Sequence, residues 1–268
     1  MAPIPPSSDP LDPNSLGGGP LRRAVKYFPE CESTNDEARK LAGAGEPEGA
    51  LVIADFQTAG RGRMSRAWQA PNGSSLLFSL LLRPPIRPAQ ALIPVMAVSL
   101  GIMEGIRRVC DLPARLKWPN DILIRGKKAG GILCELGLDG TELKYVIVGA
   151  GLNVNFDPRA VAGIPPDATS IQMELGRRQP RAELLRAILG EIELRYRKIA
   201  RGESLREEWA RALDTIGRRV RIILPEEEFS GMAETVDESG ALLLRQDDGT
   251  VRAILAGDVV HVEKDDGP

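Results

Sequence analysis

An uninterrupted apolar run, Leu51-Val52-Ile53-Ala54, delivers the chain into Asp55-Phe56-Gln57-Thr58-Ala59-Gly60-Arg61-Gly62-Arg63-Met64-Ser65-Arg66-Ala67-Trp68. The run reads as a buried strand. The seven residues after Ala59 hold two glycines and three arginines. Glycines let backbone amides approach a ligand, and arginines supply permanently charged, planar donors that match carboxylates and phosphates. A loop this basic at the end of a buried strand is an anion-handling loop, so the fold must bring that strand end to a rim that an anion can reach.

A second stretch is Lys117-Trp118-Pro119-Asn120-Asp121, followed by Lys127-Lys128-Ala129-Gly130-Gly131-Ile132-Leu133-Cys134-Glu135. Earlier stands Ser33-Thr34-Asn35-Asp36, and later Gly149-Ala150-Gly151-Leu152-Asn153-Val154-Asn155. With the arginine loop these make five motifs, and in this order the sequence resembles the biotin protein ligases from about residue 27 onward. The resemblance implies a catalytic domain of the class II synthetase and lipoate-ligase type, followed by a small SH3-like β-barrel.

The residues support that class independently. Short apolar runs at 25–28, 51–54, 76–82, 116–118, 122–124, 132–136 and 143–148 read as strands, with turns at Arg125-Gly126 and Asp139-Gly140. One helix is expected over 89–110, where Leu92, Val95, Met96, Ile102, Ile106 and Val109 recur at helical spacing, a stripe that belongs to a core. Strands that dominate around one long helix give an α+β fold with a mixed, largely antiparallel sheet. Thr34 and Glu37 are spaced as a capping box for a helix through Leu41, and the same segment offers polar groups to a ligand. Helices at 181–201 and 205–213 interleave Arg with Glu, the mark of a solvated face. From Gly217 five short β-rich runs follow in about fifty residues, as in a small barrel. Residues 1–20 hold six prolines, three glycines and three serines and only two charges, a composition that reads as a flexible tail. The expected organisation is a tail over 1–22, a catalytic domain over 23–215 and the barrel over 216–265.

Composition excludes several classes. A net charge of −2 gives no general attraction to nucleic acid or anionic lipid. No apolar run reaches the ~20 residues of a membrane span, and the N-terminus is not a secretory signal. With so few residues before the first motif, the DNA-binding module that some members of the resembled family carry is expected to be missing. Cys31, Cys110 and Cys134 are scattered, without metal-ligand spacing, and read as reduced apolar side chains in a cytoplasmic protein. His261 is the only histidine, which removes His-based triad chemistry.

The resemblance further implies a reaction. Biotin's carboxylate attacks the α-phosphate of ATP, with Mg²⁺, to give biotinyl-5′-AMP, and a lysine of a biotin carboxyl carrier protein then takes the biotin. By match, Lys128 is the central catalytic residue, with Arg63 from the loop and Asp121 as base or orienter for the incoming amine. Asp121 also reads as a turn former after proline. The biotin-binding set implied is Ser33, Thr34, Asn35, Gln57, Gly60, Arg61, Gly62, Arg63, Lys128 and Gly131. The nucleotide set implied is Arg66, Trp68, Lys117, Asn120 and Asn153. No all-protein metal site is expected, since phosphate oxygens and water suit Mg²⁺. Met64-Ser65 stands where a basic residue and glycine are common, and Phe156, Val161 and Ile164 are the apolar candidates to cover adenine. The enzyme is expected to act as a monomer or homodimer, without DNA or membrane. A lipoate or octanoate ligase of the same fold and a non-catalytic biotin-binding regulator are the alternatives. The first is not expected to pair these loop motifs, and the second would lack Lys128.

Overall fold

The computed structural model describes residues 9, 11–16, 18–224 and 226–262. Strand β1 (Ala24–Cys31) leads through Ser33 into helix α1 (Thr34–Gly43), and β2 (Ala50–Gln57) returns parallel to β1. Next come β3 (Ser75–Leu82), α2 (Leu92–Cys110), β4 (Ala114–Lys117), β5 (Asp121–Ile124), β6 (Lys127–Asp139) and β7 (Glu142–Asn153). They form one seven-stranded sheet in the order β1-β2-β3-β7-β6-β5-β4. Every pairing except β1–β2 is antiparallel, the mixed sheet that the strand pattern implied. The β5–β6 turn places Arg125 at φ 50° and Gly126 at φ 78°, the left-handed pair that a two-residue hairpin needs.

The two faces of the sheet divide the core. Leu76, Phe78, Leu80 and Leu82 of β3 join the main cluster with α2, whereas Val52, Leu81 and Ile147 pack on Ala38 and Ala42 of α1. Helix α2 has the length and apolarity to cross a membrane on composition alone, yet 67% of it is buried inside the protein. Its partners include α4 (Arg181–Ala200), which follows α3 (Ile171–Leu175) and precedes α5 (Arg206–Ala212). The two long helices meet at glycines: a Cβ on Gly101 would lie 2.4 Å from Ile192 Cγ1, and one on Gly105 2.5 Å from Ile188 Cγ1.

Strands β8 (Arg219–Ile223), β9 (Glu228–Val236), β10 (Leu242–Arg245), β11 (Val251–Ile254) and β12 (Asp258–His261) form a second, antiparallel sheet in the order β11-β10-β9-β8-β12. It is the small SH3-like unit, and its core joins the main cluster through Val220, Ile222 and Leu244. Trp118, between β4 and β5, is 1% exposed and donates from its indole to Gly240 O at 2.9 Å, pinning the second sheet to the first.

Several expectations are corrected. The helix after Ser33 has no capping box, because Ser33 is the cap residue without a side-chain bond and Thr34 bonds to Gln57. The short α3, capped by Ser170 Oγ on Met173 N–H, falls in a stretch where no helix was expected. The arginine–glutamate pattern of α4 is not wholly a solvated face. Arg181 is fully buried, 2.8 Å from Asp55 Oδ1 and 3.0 Å from Ser75 O, and Glu193 and Arg195 are buried in ion pairs with Arg22 and Glu208. The tail expected over 1–22 lies outside the described residues at 1–8, 10 and 17. Beyond these, Leu11, Leu16 and Leu21 are buried in the main core, and Asp9 accepts from Arg181 N–H at 2.8 Å. Three leucines at five-residue intervals are enough to seat a stretch whose average composition is that of a linker. The described cysteines are free, and burial pushes the Cys31 and Cys110 thiols up to about 11 and Cys134 up to about 12.

Candidate active site

The strand ends dictate where chemistry can occur. β2 ends at Gln57 and β7 at Asn153, while β6 begins at Lys127 and β5 at Asp121, and these ends converge on one cavity of about 740 Å³. The cavity wall brings together residues more than a hundred positions apart.

One end of the cavity is uncharged and polar. Ser33, Thr34 and Asn35 enter it from the first turn of α1, and Gln57 from the last residue of β2. Gln57 Oε1 accepts from Thr34 N–H at 2.7 Å and from Thr34 Oγ1 at 3.0 Å, which explains why Thr34 does not cap its helix. Asn35 Nδ2 donates to Glu135 Oε2 at 2.6 Å.

The middle is cationic. Lys128 Nζ lies 2.6 Å from Asp121 Oδ1, both side chains partly exposed, and Gly131 pairs with Asp121 across β5 and β6. Asp121 is therefore the first residue of a strand and not a turn. Arg63 donates to Asn120 Oδ1 at 3.1 Å and to Gly257 O at 3.2 Å, and burial holds its guanidinium below the ordinary arginine value. Arg61 makes a two-pronged pair with Asp36 at 2.5 and 2.8 Å, and its hydrogen bond holds the Asp36 carboxyl below the usual carboxylate range. Arg66 pairs with Asp258. Each arginine of the basic loop thus has a partner in the absence of any ligand, and the charge that the sequence left uncompensated is balanced by groups far along the chain.

Trp68 forms part of the opposite wall with Lys117, Asn120 and Asn153. A Cβ on Gly151 would lie 2.4 Å from the Trp68 indole, so that glycine is what lets the ring lie against β7. The Trp68 Nε1 donor and the Asn153 Oδ1 acceptor are buried with no protein partner among the described residues. Two such orphans in one cavity wall fit a ligand that can both accept and donate.

Of the residues expected at the site, Gly60 alone does not line the cavity. Its place is structural: its carbonyl accepts from Trp68 N–H at 2.8 Å, and a Cβ there would lie 2.7 Å from Trp68 O. Ile164 lines the cavity with Pro165, whereas Phe156 is buried and Val161 lies elsewhere. Sequence reasoning missed the wall supplied by Gly257, Asp258, Val259 and Val260 of the second sheet. Gly257-Asp258 read only as a turn signal, and nothing local in the sequence joins it to an arginine nearly two hundred residues earlier. His261 lies outside the cavity, 4.0 Å from Asp214.

The pattern that defines the Biotin/lipoate A/B protein ligase family matches residues 27–153, and that of the Biotin protein ligase C terminal domain matches residues 215–262. A Biotin--[acetyl-CoA-carboxylase] ligase of Mycobacterium tuberculosis is 36% identical over 268 residues, covering 94% of this chain and 96% of that protein. The Bifunctional ligase/repressor BirA of Bacillus subtilis is 36% identical over 236 residues, 87% of this chain and 72% of that one. Among solved structures, the biotin protein ligase from Aquifex aeolicus in complex with biotin and ATP superposes with a TM-score of 0.74 at 27% identity, covering 89% of this chain and 98% of that one.

Proposed function

This chain belongs to the biotin protein ligase family, and from that membership we propose how its own residues carry the two half-reactions of a biotin ligase. It is an ATP-dependent, AMP-forming ligase: it joins biotin to ATP as biotinyl-5′-AMP and passes the biotin to a protein lysine. The observation that carries the residue assignment is that one cavity has an uncharged polar end, a cationic middle and a far wall with orphaned polar atoms.

A ureido ring needs neutral donors and acceptors, which Ser33, Thr34, Asn35 and Gln57 supply. The carboxylate and the α-phosphate are both anions, and bringing them together requires cations that do not react. Lys128 and Arg63 fill that role, with Gly62 and Gly131 giving room beside them and Arg61 anchoring the loop to α1 through Asp36. In the assigned geometry Lys128 leaves Asp121 for the anion, freeing the Asp121 carboxylate to orient, and take a proton from, the acceptor amine in the second step. Arg66, Trp68, Lys117, Asn120 and Asn153 hold the nucleotide. Among the described residues no three His, Cys, Asp or Glu side chains cluster to hold a metal, so Mg²⁺ is assigned to phosphate oxygens and water as ATP's companion.

The acceptor proposed is the carrier domain of a biotin-dependent carboxylase, with the enzyme acting in the cytoplasm as a monomer or homodimer. A DNA or membrane role is not assigned, in keeping with the net charge of −2. The catalytic unit is assigned to 23–215 and the SH3-like unit to 216–265, of which 263–265 lie outside the described residues. ATP–pyrophosphate exchange assayed with biotin, lipoate and octanoate tests the reading. Exchange dependent on biotin alone is expected; exchange driven by lipoate or octanoate but not biotin would overturn it.

A further inference from the structure

From Leu76 to Leu82 strand β3 carries six apolar side chains and one polar one, Ser79, which is fully buried. Ser79 pairs in register with Gly149 of β7 and points to the α1 side of the sheet, as Leu81 does. A hydroxyl buried in an apolar row costs stability unless its hydrogen bonds are made. Ser79 Oγ stands 2.8 Å from Thr34 Oγ1 and 2.6 Å from Asn35 Oδ1.

Those bonds fix which way two amides face. Asn35 Nδ2 donates to Glu135, and an ionised carboxylate only accepts, so the nitrogen must lie on that side. Its Oδ1 then faces the Ser79 hydroxyl, and the missing Cβ of Gly149 leaves that oxygen its space, since a Cβ would come within 2.0 Å of it. Thr34, held by Ser79, in turn occupies Gln57 Oε1 from both its hydroxyl and its N–H. Both amide oxygens are thereby committed to protein donors, while Gln57 Nε2 and the second Nδ2 hydrogen of Asn35 have no partner among the described residues.

Resting on the biotin-ligase reading, we propose that Ser79 is a positioning residue that sets the polarity of ureido recognition. It turns the Asn35 and Gln57 amides so that they offer N–H, and not oxygen, to the ligand, and the site therefore reads a carbonyl oxygen. An analogue that carries a donor where biotin carries that oxygen is rejected for this reason, because two N–H groups would meet a third.

The test compares biotin, desthiobiotin and 2-iminobiotin in ATP–pyrophosphate exchange at a pH where the imino group is protonated. Desthiobiotin keeps the ureido ring, while protonated 2-iminobiotin replaces its carbonyl oxygen by a donor. In Ser79→Ala the Asn35 amide loses the group that fixes it, and KM for biotin and desthiobiotin should rise roughly ten-fold, the cost of one buried unpaired acceptor. The kcat should stay within about two-fold, the signature of lost binding and not lost chemistry. The preference for biotin over 2-iminobiotin should shrink by a similar factor, because a freed amide can present its oxygen. Unchanged KM for biotin, or equal losses for biotin and 2-iminobiotin, would overturn the proposal. Should Ser79→Ala not fold, Glu135→Gln carries the test at a partly exposed position. Its amide can donate to a reversed Asn35, so the preference must shrink there too, and an unchanged preference overturns the proposal. A parent enzyme with no biotin-dependent exchange would instead overturn the underlying reading.

Discussion

At the scale of single residues, the decisive contact is Lys128 Nζ against Asp121 Oδ1 at 2.6 Å. Both residues were legible as members of motifs, but their contact was not, because it depends on β5 folding back on β6 through the Arg125-Gly126 turn. The pair assigns the two residues to different steps. Lys128→Ala removes the cation between two anions, and adenylate formation should fall by about 10²–10³. Asp121→Asn keeps shape and hydrogen bonding but not basicity, so it should slow transfer to the acceptor lysine by about 10²-fold or more while adenylate formation falls less. Single-turnover measurement of each half-reaction separates them. Equal losses in both steps for both variants would mean that the pair acts only as a structural unit.

At the scale of elements, the long helix was read correctly as core, yet periodicity gave no hint of how closely α4 crosses it. Gly101 and Gly105 stand one helical turn apart, and each removes the side chain that would otherwise meet an isoleucine of α4. In Gly101→Ala the new Cβ would lie 2.8 Å from Ile192 N, backbone that cannot step aside cheaply. The gain in helix propensity from Gly to Ala is at most about 1 kcal/mol, whereas overpacking costs about 1–3 kcal/mol. Net destabilisation is expected, and denaturant unfolding checks it; a more stable Gly101→Ala protein would show that the helices part without cost. The solvated-face reading of α4 failed for a related reason. Alternating charges identify exposed helices on average, but Arg181 is reached by Asp55 from β2 and Asp9 from the N-terminal segment, which no helical pattern reveals.

At the scale of the molecule, the second sheet supplies a wall of the cavity through Gly257 to Val260 and partners for Arg63 and Arg66. Trp118 ties that sheet to the catalytic motif around it through its bond to Gly240 O. Trp118→Phe keeps most of the apolar contact but leaves that carbonyl without its donor, at a cost of about 1–3 kcal/mol. A looser second sheet should also raise KM for ATP more than KM for biotin, because its wall faces the arginines and not the Thr34–Gln57 end. Unfolding curves and steady-state kinetics would show both effects. An unaltered stability would mean that the docking rests on apolar contact alone.

The sequence by itself determined the element types, the hairpin turns, the mixed sheet, the family and nearly every residue of the cavity wall. Those features are local or are carried by motifs, and periodicity, turn chemistry and residue type are all that is needed to see them. The tertiary structure alone decided which charges are compensated and which way each polar group faces. Asp36 answers Arg61, Asp258 answers Arg66, and Ser79 orients Asn35 across the sheet. Ion pairs and hydrogen bonds depend on distances of a few ångströms between residues tens to hundreds of positions apart, and such distances exist only once the strands are in register.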